Sequence, residues 1–172
     1  MLAAEDAPEL LAFSCGDEDL DDFLRTDASR LLGENVVRTY LAHCDGALMG
    51  YLSLLVDAVV LETRERKKLA LGSHDHPIVP ALKVARLGVS ASFRAMNRGA
   101  GEALMSFAFV SALDVAEYAG CRLLTVHAYP ESVGFYERLG FVQNRAKEYQ
   151  SKSHSSMRLD VFAPIWPSWV AS

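Results

Sequence analysis

The first regular pattern lies at residues 17–32, where Leu20, Phe23, Leu24, Ala28, Leu31 and Leu32 recur at spacings of three and four. That period puts an apolar stripe on one side of a helix. Asp17 or Gly16 is available to cap its start, and the acidic residues that follow suit the positive end of the helix dipole. Residues 36–44 and 47–56 are dense in β-branched, aromatic and aliphatic side chains and are separated only by Asp45 and Gly46. An Asp-Gly pair tolerates the positive φ angles of a two-residue turn, so the two runs predict an antiparallel hairpin. Over residues 62–80 the pattern breaks into a charged cluster, Arg64 to Lys68, followed by the polar stretch from Gly72 to Pro77. A loop with one short helix is expected there.

After Pro80, residues 81–89 read as a strand. Residues 99–118 read as a helix whose few polar positions, Glu102, Ser106, Asp114 and Glu117, leave most of its circumference apolar. Such a helix lies against a sheet. Gly120 is expected to end it as a C-terminal cap, and residues 122–128 form the next strand. The β-α-β order implies a parallel pair with a right-handed crossover, within an α/β (α+β) fold. A short helix over residues 131–139 ends at Gly140, and two strands follow near residues 141–143 and 157–162. The apolar tail, residues 163–172, carries Trp166 and Trp169 flanked by Pro164 and Pro167. Left exposed it would be adhesive, so it folds back on its own domain or meets a second subunit, and a homodimer is the expectation.

A chain of 172 residues has the size of one domain, and residues 1–172 are read as such. With 51% hydrophobic and 23% charged residues it can build a core, which excludes collagen-like and largely disordered classes. The net charge of -5 opposes general nucleic-acid binding, but it is unevenly distributed. Residues 1–34 hold 10 acidic and 2 basic side chains, whereas residues 35–172 hold 12 acidic and 15 basic. Cys15, Cys44 and Cys121 are odd in number and widely spaced, without the CxxC pairs of zinc sites, so reduced thiols and no metal are expected. The start has no positive leader and no apolar run reaches the ~18 residues of a membrane span, giving a cytoplasmic expectation with no membrane partner.

Candidate chemistry begins at Arg86, Leu87, Gly88 and Val89, followed by Asn97, Arg98, Gly99, Ala100, Gly101 and Glu102. Two glycines one residue apart at a helix start let backbone N–H groups approach an anion, with the helix dipole and Arg98 adding positive potential. A dinucleotide fingerprint would need a small residue at Leu104, and a P-loop would need a Gly-Lys-Ser/Thr that is absent. About 35 residues on, the run from Gly134 through Phe135, Tyr136, Glu137, Arg138, Leu139 and Gly140 to Phe141 closes the second β-α unit.

Together these two motifs, in this order, resemble the acetyl-CoA segment and the C-terminal helix and strand of the GNAT N-acetyltransferase superfamily. The resemblance spans at least residues 36–162. It implies a single mixed sheet of six to seven strands, with an antiparallel N-terminal half, a splayed parallel pair at the centre and about four helices. It also implies an acetyl-CoA-dependent acyltransferase working by direct attack of a primary amine in a ternary complex. The implied cofactor-binding set is Leu87, Gly88, Val89, Arg94, Asn97, Arg98, Gly99, Ala100, Gly101 and Tyr136, with strand backbone holding the pantetheine arm and loop N–H groups the pyrophosphate. The sequence departs from the family pattern at Met96 and Asn97, where Gln or Arg and then Gly are preferred.

The resemblance makes Tyr136 the general acid, a phenol that protonates the departing thiolate. The base is open. Residues 81–89 hold no carboxylate, and His127 and Glu131 are the candidates nearest in sequence. A lysine-type amine with pKa ~10.4 needs such a base, whereas an α-amine near ~8 needs far less help. Residues 13–24, FSCGDEDLDDFL, and Arg38 to Leu41 are similar to a subgroup that includes toxins of toxin-antitoxin pairs acetylating charged tRNA. The acidic N-terminal segment, which the resemblance puts beside the acceptor entrance, favours a cationic small-molecule or peptide amine, with aminoacyl-tRNA as the alternative acceptor and a catalytically weak CoA-binding module as a third reading.

Overall fold

The computed structural model describes residues 7–72, 77–96, 99–150, 153–164 and 168–170. The expectations placed on Asn97, Arg98, Trp166 and Pro167 lie outside the described residues. In chain order the elements are α1 (Ala7–Ala12), α2 (Glu18–Asp22), α3 (Ala28–Gly33), β1 (Arg38–Cys44), β2 (Ala47–Val60), α4 (Thr63–Lys68) and β3 (Ile78–Val89). There follow α5 (Ala91–Met96), α6 (Ala100–Tyr118), β4 (Leu123–Ala128), α7 (Val133–Arg138), β5 (Val142–Gln143) and β6 (Ser155–Asp160). The six strands form one mixed sheet in the order β1-β2-β3-β4-β6-β5. β3 and β4 are the parallel pair, as the β-α-β order requires, and β1–β2, β4–β6 and β5–β6 are antiparallel.

The chain gathers into two compact units, one of Met1–Leu55 and Val84–Phe107 and the other of Val56–Lys83 and Ala108–Ser172. In the first unit the hairpin turns as its sequence demands, with φ of 51° at Asp45 and 78° at Gly46. The predicted helix over residues 17–32 is interrupted. Asp17 caps α2 by accepting from the N–H groups of Asp19 and Leu20, but residues Phe23–Asp27 widen into a π turn closed by Ala28 N–H on Phe23 O. The hydroxyl of Thr26 donates to Asp22 O at 2.7 Å, a side-chain bond that competes with the ordinary ladder. The widened turn buries Phe23, Leu24 and Ala28 with Leu10, Phe13, Cys15, Val37, Leu48 and Tyr51 in one cluster.

In the second unit Val59, Leu61, Val79, Ala81 and Leu123 form the cluster, with Leu69, Leu71 and Tyr149 packed on it. α4 has no apolar side chain to join that core. It is held by Glu65, which is 4% exposed and accepts from Arg158 Nη1 at 2.6 Å and from the Arg145 N–H at 3.1 Å. Arg158 also donates to Asn144 Oδ1 at 2.7 Å.

Several boundaries differ from expectation. β3 starts at Ile78 and runs through Pro80, whose carbonyl accepts from Arg122 N–H. Gly120 is not a left-handed cap, since its φ is not positive, whereas Gly140 is one, at φ 87°. The tail closes on its own unit at Trp169, whose indole N–H donates to Leu139 O at 3.0 Å and whose ring meets Phe109 edge-on. Removing one partner of a buried ion pair strands the other charge, so Arg158→Met should lower stability by about 3–5 kcal/mol in urea denaturation.

Candidate functional site

At the C-terminal end of β3 the first unit is built around a close backbone approach. A Cβ on Gly50 would lie 2.5 Å from Gly88 O, and one on Gly88 would lie 2.5 Å from Tyr51 Cε1. Both positions therefore require glycine on packing grounds, and for Gly88 this reason stands beside the cofactor role expected of it. Tyr51 is fully buried, donates to Leu20 O at 2.7 Å, and packs against Phe13 edge-on and Phe23 face-on. Burial drives its phenol pKa far upward. The Arg86 guanidinium lies 5.2 Å from the Phe23 ring centroid and 3.8 Å from Asp19.

Just past β3, Ser90 N–H donates to Met49 O, and Ala91 N–H to Ser14 O. Arg94 points its Nη2 at the carbonyls of Cys15, at 2.6 Å, and Val89, at 3.2 Å. In the structure this candidate thus ties the loop over residues 13–16 to the end of β3. Asp21 holds the same loop from its other side, accepting from Cys15 N–H and Ser14 Oγ. Burial pushes the Asp21 carboxyl up, but the hydrogen bonds from Cys15 and Ser14 and the charge of Arg25 outweigh it, and its pKa is lowered. An acidic residue that also suits the start of the helix dipole is thus a structural anchor.

Gly99 has φ 71°, and its carbonyl accepts from Ala103 N–H to open α6. Among the described residues outside its chain neighbours, a Cβ there would meet only Glu102 Oε2, at 3.6 Å. The leading N–H groups of a 19-residue helix lack intrahelical partners, and Gly99, Ala100 and Gly101 put little side chain in their way. These residues fit a pyrophosphate cradle. A cavity of about 250 Å³ also lies in this unit, lined by Tyr40, Leu41, Ala42, Met49, Leu52, Ala103, Leu104 and Phe107. It offers no charged group.

The second unit holds the three candidate catalytic residues. Tyr136 on α7 is 9% exposed, flanked edge-on by Phe135 and Phe141. Burial pushes its pKa up to about 12, so the phenol is protonated across the neutral range and able to donate. The Gly140 turn fixes α7, with Phe141 N–H returning to Tyr136 O at 3.0 Å. His127, at the end of β4, is exposed, and Lys83 Nζ lies 3.2 Å from its Nδ1 and 3.4 Å from its Nε2. A ring nitrogen that accepts from Lys83 is engaged rather than poised to take a proton from substrate. Glu131 is exposed in a 3-10 turn, Pro130–Ser132.

One further carboxylate, not expected from the sequence, is bonded to the strand that carries His127. Asp57, on β2, accepts from Thr125 Oγ1 at 2.8 Å, and Thr125 lies two residues before His127 on β4. Its signal in the sequence is the one charged residue of β2. Among the described residues no group of three or more His, Cys, Asp or Glu side chains could hold a metal ion, and no helix is long and apolar enough to cross a membrane.

Burial, then the hydrogen bond to Asp21, pushes the Cys15 thiol up to about 11. The thiolate is scarce well below that pH, so at pH 8 iodoacetamide should label the partly exposed Cys44 and leave Cys15 unmodified until the chain unfolds, as read by mass spectrometry. Gly88→Ala should displace the Tyr51 ring and destabilise the protein by about 1–3 kcal/mol in urea denaturation.

No family model matches the chain. It is similar, at 28% identity over 140 residues, to a tRNA-acetylating toxin of Mycobacterium tuberculosis, covering 79% of this chain and 80% of that protein. Its fold is that of solved toxins. A Tyr→Phe mutant of KacT superposes with a TM-score of 0.76 at 21% identity, covering 94% of this chain and 92% of that one. AtaT complexed with acetyl-methionyl-tRNAfMet gives 0.72 at 21% identity, over 88% and 86% of the two chains. AtaTR bound with acetyl-CoA gives 0.71 at 21% identity, over 92% and 91%.

Proposed function

We propose that this chain is an acetyl-CoA-dependent N-acetyltransferase whose acceptor is the α-amino group of an aminoacyl-tRNA, the activity of a toxin in a toxin-antitoxin pair. The likeness over 79% of its length to a tRNA-acetylating toxin carries this reading. It promotes the acceptor that the sequence placed second.

Acetyl-CoA, once bound, supplies the thioester from which the acetyl group passes to the amine as the CoA thiol departs. The backbone of Leu87 and Val89 would hold its pantetheine arm, and the N–H groups of Gly99, Ala100 and Gly101 its pyrophosphate, with Asn97 and Arg98 completing that set. Gly88 allows the strand its close packing, and Arg94 steadies the strand end through Val89 O. Tyr136 would hold the proton that the departing sulfur needs, and the proton lost by the attacking amine would return to the phenol through solvent. An α-amine near pKa ~8 is substantially neutral at physiological pH, so this acceptor makes little demand on a base. That agrees with an engaged His127, an exposed Glu131 and an Asp57 already bonded to Thr125.

The acidic N-terminal segment favours a second reading, a cationic amine. Much of that acidity has local partners, however: Asp17 caps α2, Asp21 is buried, Asp22 pairs with Arg25, and Asp27 and Glu34 pair with Arg30. Neutralising Glu18 and Asp19 should raise KM only if the acceptor is a free cationic amine. A homodimer is kept as part of the proposal, although the seating of Trp169 removes one of the two tryptophans that suggested it.

Incubation with acetyl-CoA and a panel of aminoacyl-tRNAs, followed by mass spectrometry of the released amino acids, tests the function directly. N-acetylated product is expected, and unmodified amino acids from every charged tRNA would reject it. Tyr136→Phe should lower kcat at saturating acetyl-CoA by about 10²–10⁴-fold. Because the Tyr136 pKa is raised to about 12, its proton is held well below that pH, and kcat should show no alkaline decline from this group up to about pH 10.

A further inference from the structure

α4 is a six-residue helix, Thr63–Lys68, without an apolar side chain. Short helices in proteins are normally held by an apolar face, whereas this one is anchored by the buried carboxylate of Glu65. A buried ion pair contributes little net stability over an apolar contact of the same volume, so folding alone does not account for the choice. The anchor does something else. Glu65 Oε1 takes both Arg158 Nη1 and the Arg145 N–H, which fixes the segment around residue 145 beside α4. Tyr149, ending the turn Lys147–Tyr149, packs on the same core as Leu69, and its hydroxyl oxygen accepts from Val60 N–H at 3.1 Å.

Arg64, Lys67 and Lys68 on α4, and Arg145 and Lys147 on the segment bonded to it, are all exposed. The helix dipole accounts for cations in the last turn but not for Arg64 in the first, where positive charge is unfavourable. Of the nearby acids, Glu62 is engaged in the capping box of α4, and Glu148 stands among the cations.

We infer that this surface binds the phosphate backbone of the tRNA; the inference rests on the aminoacyl-tRNA reading above. An acidic protein segment would also be drawn to positive charge. Protein interfaces, however, are anchored by aromatic and aliphatic side chains, and α4 presents none, while nucleic-acid interfaces are polar and strongly positive.

The test is binding of deacylated tRNA to the full chain, followed by fluorescence anisotropy over a salt series. Wild-type affinity should fall linearly on logarithmic axes. The double variant Lys67→Glu/Lys68→Glu should bind at least about tenfold more weakly at low salt, with a slope shallower by about 0.7–0.9 for each phosphate it no longer neutralises. Lys67→Gln/Lys68→Gln and Arg145→Gln, milder changes at exposed positions, should each move affinity and slope in the same direction, and they decide the matter should the charge-reversed protein unfold. Unchanged affinity and slope in the glutamine variants would overturn the inference. So would charge-dependent binding of a polyglutamate peptide with tRNA binding unaffected, since the surface would then serve a protein. The two readings fail separately. Wild-type protein that binds tRNA through these residues but acetylates no aminoacyl-tRNA overturns the function alone, whereas acetylation with a tRNA KM indifferent to the variants overturns the surface alone.

Discussion

The first unit depends on the contact between the backbones of β2 and β3 at Gly50 and Gly88. With any Cβ at either position, an atom would sit 2.5 Å from Gly88 O or from the Tyr51 ring. The closeness of the strands sets where Tyr51 lies, and Tyr51 in turn receives Phe13, Phe23 and the carbonyl of Leu20. The N-terminal helices therefore have one seat. From it, Ser14 and Cys15 reach the end of β3 through Ala91 N–H and Arg94. The segment that would hold the cofactor is thus braced by residues distant in sequence, and its backbone is positioned before any ligand arrives, which is the condition for using backbone groups as donors.

Local chemistry explains what was legible in the sequence. Asp45-Gly46 has only one inexpensive conformation between two strands, and Gly140 after an amphipathic turn is likewise unambiguous. The order of strand, long apolar helix and strand required the parallel pair, because a crossover has one hand and one place to pack. Features that depend on tertiary partners were not legible. Gly120 looks like Gly140 in sequence, yet its backbone is ordinary and its place is beside Pro80. The π turn at Phe23–Asp27 has the composition of a plain helix, and α5 has no clear apolar period because none of its side chains is buried.

The candidate site divides the same way. Motif spacing marks the glycines and Tyr136 as candidates. Arg94, Asp21 and Asp57 instead take their roles from carbonyls, amides and a hydroxyl that no spacing marks, 79 residues away in the case of Arg94 on Cys15. Charge counted along a chain misleads for a related reason. Ten acids in the first 34 residues suggested a repulsive rim, but capping, burial and pairing give several of them local work. Meanwhile the cations of α4, which look like a solvated run, are organised by one buried acid.

Two of the candidate residues differ in character. Tyr136 sits among aromatic rings that raise its pKa by burial alone, with no neighbouring charge contributing. Such a phenol is a reluctant acid toward water and a serviceable one toward a thiolate whose own charge is poorly solvated, because both groups prefer the proton shared between them. The imidazole of His127, by contrast, lies in the open beside the Lys83 amine. A phenol that stays protonated together with an engaged His127, among the described residues, would suit an acceptor that arrives already neutral. Esterification of an amino acid removes the carboxylate that would otherwise hold a proton on its amine, so an aminoacyl ester meets that requirement better than a lysine side chain does.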